Sequence, residues 1–126
     1  MKKELFTAFL LIGIFAACLA NVSYIGKLTD EINKLICQSQ ELAAEGNWQA
    51  SAEAAEEAVR VWHEHDAYIH IVLKHADIDS ATDAIYDLLA EVYSHSAGNV
   101  DGTALRAHYH FECIYNMERI SFGSLF

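Results

Sequence analysis

Residues 5–25 carry no charged side chain and follow Lys2 and Lys3 directly, with only Glu4 between. As a helix rising about 1.5 Å per residue, this run is roughly 31 Å long, close to the hydrocarbon thickness of a bilayer. It is expected to be a membrane anchor. Basic residues beside a membrane segment favour the cytoplasmic side, so residues 1–4 read as a cytoplasmic N-terminus and residues 26–126 as an extracytoplasmic helical domain. The expected location is therefore the cell membrane, crossed once. Two other readings compete with the anchor. Small residues at Cys18-Leu19-Ala20 fit a cleaved secretory signal, and Phe15-Ala16-Ala17-Cys18 is similar to a lipoprotein signal with phenylalanine at the usual leucine position. The apolar run continues past both sites to Ile25 without a turn residue, which favours the uncleaved anchor.

Charge narrows the partners of the remainder. Residues 28–126 contain five basic groups (Lys34, Arg60, Lys74, Arg106, Arg119) against seventeen acidic ones, a net charge of −12 with histidines neutral. Nucleic acid and anionic lipid headgroups are poor partners for such a surface. Of the three cysteines, Cys18 lies in the apolar run, leaving Cys37 and Cys113 as a pair with no spacing motif. They read as independent thiols, with a disulfide between them the lesser alternative.

The chain has no proline, and beyond the anchor its glycines cluster at Gly46, at Gly98 and Gly102, and at Gly123, with Gly26 next to the apolar run. Between them apolar residues recur at helical spacing. Leu28, Ile32, Leu35, Ser39 and Leu42 form a first stripe that ends at Gly46-Asn47 and continues from the anchor. Trp48, Ala52, Ala55, Val59, Trp62, Ile69 and Leu73 predict one long helix over 48–74, with Asp66 interrupting its stripe. Asp77 or Asp79 is a candidate N-cap for a third helix carrying Ile78, Ala81, Ile85, Leu88, Leu89 and Val92. Residues 98–102 read as a loop, after which Thr103 caps a last helix on which Leu105 or Ala104, His108, Phe111, Ile114, Tyr115 and Glu118 share a face. Strand-type alternation is missing throughout. The expected fold class is all-α, an N-terminal transmembrane helix followed by an antiparallel up-down bundle of three to four helices. Trp48, Trp62, Tyr68, Tyr86, Tyr93, Tyr109, Phe111 and Tyr115 are expected to supply its core and half-buried contacts.

All seven histidines lie between His63 and His110 among many carboxylates, which raises a metal or pH-sensing reading. His75 with Asp79 and His108 with Glu112 sit one helical turn apart and would offer two ligands each if their helices met there. Other spacings fail on geometry. His63 and His65, like His108 and His110, lie about 200° apart round a helix and cannot chelate one ion together. Asn99-x-Asp101-Gly102 lacks the first and last ligands of a calcium loop. No Cys-x-x-Cys, phosphate-cradling loop or nucleophile elbow is present. No catalytic, cofactor-binding or metal residue is assigned, and the chain is not expected to be an enzyme. Asp66 and Glu118 interrupt apolar stripes; each either meets Arg60, Arg106 or Arg119 or turns to solvent, and Glu118 is the one expected to matter structurally.

Trp48 and Trp62, His75-Ala-Asp-Ile-Asp79 ahead of a new helix, and the ending Glu118-Arg-Ile-Ser-Phe-Gly-Ser-Leu-Phe126 resemble the bacterial family called domain of unknown function 4363. The resemblance extends over nearly the whole chain, anchor included, and implies a small membrane-anchored helical protein without supplying an activity. Ser124 stands where that pattern has asparagine, and the histidine-rich stretches lie outside it, which weighs against a histidine-based role. Gly46 to Ala58 also resembles one helical junction of a tetratricopeptide repeat, but nothing similar recurs about 34 residues later. The leading expectation is a non-enzymatic module that binds another membrane-associated or extracytoplasmic protein, or itself. The alternative is a metal- or pH-responsive accessory protein.

Overall fold

With no proline and no glycine turn between residues 5 and 44, nothing in the chain interrupts helix between the apolar run and the first amphipathic stripe. The computed structural model, which describes residues 1–125, accordingly has one helix, α1, over Lys2–Ala44. At 43 residues it is about 65 Å long. Its two halves live in different surroundings. Residues 1–17 are all exposed, while Ile25, Leu28, Ile32 and Ile36 are fully or almost fully buried.

Four further helices follow among the described residues: α2 (Trp48–Glu64), α3 (Asp66–Val72), α4 (His75–Tyr93) and α5 (Ala97–Leu125). The α1–α2 turn closes as the first stripe predicted. Gly46 takes a φ of +80°, and the amides of Gly46 and Asn47 bond back to the carbonyls of Ala43 and Leu42. This is the glycine-terminated helix end in which a left-handed residue satisfies the last carbonyls. Asn47 then caps α2, its side-chain oxygen accepting the amide of Ala50.

Three expected boundaries move. The single helix over 48–74 is two, broken at His65. The His65 ring lies 2.7 Å from the carbonyl oxygen of Val61, the acceptor its own backbone amide would use in a continuing helix. That amide bonds Trp62 instead, and the helix ends. The break removes the conflict at Asp66, which begins α3 and faces His63 at 3.2 Å. α4 starts at His75 and not after Asp77 or Asp79, because Leu73 and Lys74 are extended and Lys74 occupies the cap position. Asp77 then falls in the first turn, where its charge meets unpaired amides. α5 absorbs the expected loop at 98–102. Val100 is a core residue, and the Thr103 hydroxyl bonds back to Asn99 and Val100 rather than capping a helix.

α1 packs on α2 and α5, and α4 packs on α2 and α5, around one apolar cluster. Cross-contacts set the directions. Gln40 meets Asp101, Asn33 meets His108 and Asn21 meets Glu118, so α5 runs antiparallel to α1. Trp62, stacked edge-to-face on Phe111 at 5.0 Å, fills the centre and donates its indole N–H to Thr82 at 2.8 Å. Small residues bring α1 and α2 close: Ser39 and Ser51, both buried, exchange hydroxyl bonds with each other's carbonyls. Tyr86, Tyr93 and Tyr109, expected at least half-buried, are exposed. Each lies on an outer face, and the hydroxyls of Tyr86 and Tyr93 reach His63 and Glu56.

Candidate functional site

Of the two carboxylates that interrupt apolar stripes, Glu118 joins separate helices. Its carboxylate accepts a bond from the amide nitrogen of Asn21 at 2.9 Å, and the oxygen of Asn21 accepts the hydroxyl of Tyr68. α1, α3 and α5 are thus tied by one polar chain where the domain meets the apolar half of α1. Partial burial pushes the Glu118 carboxyl above its ordinary range, opposed by the Asn21 bond and reinforced by Asp77. Burial likewise raises the Tyr68 phenol. None of the expected arginine partners is used. Arg60 bonds Glu57 and Glu64, Arg106 lies 3.6 Å from Asp87, and Arg119 lies over the ring of Tyr115. Asn21 was the missed partner. Its signal was visible as the one amide side chain within the uncharged run.

Next to this chain, α1 and α5 border a cleft of about 490 Å³ lined by Gly26, Lys27, Asp30, Asn33, Glu112 and Tyr115, among others. Tyr115 lies so close to Gly26 that a Cβ there would come within 2.8 Å of its ring. His108 stands near the cleft, its Nδ1 2.9 Å from the Asn33 oxygen. Burial lowers its pKa, partly offset by Glu112, so the imidazole favours the neutral form.

The histidine pairs do not converge. The start of α4 shares a cleft with Met117 and Glu118, whereas His108 lies about 15 Å further along α5. His75 neighbours His70 instead, with ring centroids 5.7 Å apart. Among the described residues no group of three or more His, Cys, Asp or Glu side chains is placed to hold a metal ion. Cys18, Cys37 and Cys113 are free thiols.

The family model for the domain of unknown function DUF4363 matches residues 19–125, most of the chain. The chain belongs to that family. The DUF4363 match takes in the end of the apolar run but not residues 5–18, so it is narrower than the resemblance implied. It includes Asn21, Tyr68 and Glu118. No curated protein and no solved structure matches the chain.

Proposed function

We propose that this DUF4363 protein is a membrane-anchored, extracytoplasmic helical protein that acts without catalysis, as an antiparallel up-down bundle holding another membrane protein beside it. One observation carries the reading: α1 is a single helix whose exposed apolar half, long and apolar enough to cross a bilayer, passes without a break into the core of the domain. A tether of that kind holds the domain at a fixed height and angle. A partner must then approach from the same membrane.

The outer face of α5 suits such a partner. Leu105 and Tyr109 are 71% and 64% exposed and stand one turn apart above Cys113. This row runs along the same direction as the anchor, so a helix rising from the bilayer beside α1 would lie against it. The metal- or pH-responsive alternative draws no support from the separated His75 and His108 pairs.

A photoreactive residue at position 109 of the full chain tests this in intact cells, with the membrane fraction washed in alkaline carbonate. The expected result is a discrete cross-linked band from a second membrane protein, lost when Leu105 is changed to Asp. A chain released by carbonate would overturn the anchor reading, and a band containing only this chain would replace the partner by self-association.

A further inference from the structure

We propose that the base of the helical domain is seated in the outer leaflet of the membrane, with the last turns of α5 and the α3–α4 corner among lipid headgroups and upper acyl chains. This rests on the anchor reading above. The register of α5 on α1 sets the depth. α5 passes α1 in the opposite direction, with Tyr115 against Gly26 and Glu118 bonded to Asn21. Residues after Glu118 therefore lie beside parts of α1 that precede Asn21, within the uncharged run. α5 continues as far as Leu125, which adds about 10 Å of helix in that direction. Because α1 has no hinge, the domain cannot lift this end away from a bilayer that the run 5–25 spans.

The side chains at this end fit that depth. Ile120 is 66% exposed, Met117 is exposed beside it, and Ile71 at the end of α3 is 82% exposed. These are costly in water and favourable against acyl chains. Tyr24, Tyr68 and Tyr115 stand at the same level, half-buried. Such amphipathic rings concentrate at the headgroup boundary. Lys27, Lys74 and Arg119 also belong to this end: Lys27 borders the cleft with Tyr115, Lys74 borders the one with Met117 and Glu118, and Arg119 covers Tyr115. Lys34, Arg60 and Arg106, further from the anchor, are each ion-paired with carboxylates, whereas the three basal cations form no ion pair among the described residues. With Asp30 and Glu112 bordering the cleft of Lys27, and Asp77 and Glu118 that of Lys74, these cations suit the phosphates of zwitterionic lipid rather than an anionic surface, which the charge of the domain repels. The Tyr68–Asn21–Glu118 chain satisfies polar groups internally where water thins out.

The test places an environment-sensitive fluorophore on single cysteines, Ile12→Cys, Leu105→Cys or Ile120→Cys, in the full chain with its three native cysteines replaced. Each labelled chain is reconstituted in phosphatidylcholine vesicles and quenched by nitroxide lipids or by aqueous iodide, with circular dichroism confirming helicity. The expected result is lipid quenching at positions 12 and 120, strongest at 120 for a shallow nitroxide, and iodide quenching alone at 105. If position 120 behaves like 105 while 12 is quenched by lipid, the anchor stands and the seated base is overturned. If 120 is shielded from both quenchers, another protein surface covers it and the proposal fails. If 12 escapes lipid quenching, the anchor reading falls as well.

Discussion

Gly26 and Glu118 show how much a single position decides where α1 and α5 meet. A Cβ at residue 26 would enter the ring of Tyr115, which is itself held between α1 and Arg119. Gly26→Ala is therefore expected to cost about 1–3 kcal/mol by overpacking, read as a lower midpoint in thermal unfolding. Glu118 acts through charge. Its carboxyl is pushed up in the folded state, so folding favours the proton and this contribution is present at low pH and lost as pH rises through the folded value. Glu118→Gln keeps an acceptor for Asn21 and removes the charge. The variant should unfold at a higher temperature than the parent near neutral pH and lose that advantage towards about pH 4, in melts of both chains across that range. The stripe made Glu118 conspicuous in the sequence, whereas Asn21 and Tyr68 are remote from it along the chain and were joined to it only by packing.

The helices repeat the same division. The stripe on α4 predicted most of its buried residues: Ile78, Ala81, Ile85, Leu88 and Val92 are in the core, while Leu89 is only half-buried and Ala84 takes a core place the stripe did not include. Periodicity was decisive there, since the bond that Thr82 makes back to the Ile78 carbonyl leaves the helix unbroken. The ends of α2 and α5 differ because local chemistry carries two messages. The His65 ring can take the Val61 carbonyl or leave it to the backbone, and Gly98 and Gly102 read equally as a loop or as a weak first turn. Burial of Val100 and Ala104 tips the latter toward helix. Those glycines now stand within α5 with open space where a side chain would be. Gly98→Ala and Gly102→Ala should each stabilise the chain by about 0.5–1 kcal/mol, raising the denaturation midpoint without changing its slope.

At the scale of the molecule, two regions divide near Asn21. Residues 1–17 of α1 are exposed, and the buried cluster begins at Ile25, the last residue of the uncharged run. A chain starting at Leu19 should keep its helicity and unfold within a few degrees of the parent in detergent, a range corresponding to about 1 kcal/mol. A collapse of helicity on removing residues 1–18 would show instead that the first half of α1 belongs to the core. The sequence by itself determined the helical class and the position of the long apolar segment, since both follow from periodicity and hydropathy within one stretch of chain. It also determined most core positions of α4, and on α1 it placed Leu28, Ile32 and Ser39 correctly, whereas Ile36 and Ala43 are buried where Leu35 and Leu42 were expected. Tertiary structure alone decided which polar residues meet, where α2 gives way to α3, and that the two histidine–carboxylate pairs stay apart. The physical reason is that periodicity states which face of a helix is buried, while the register between helices depends on close contacts such as Gly26 with Tyr115 and Ser39 with Ser51. That register sets α5 beside the last turns of the apolar run.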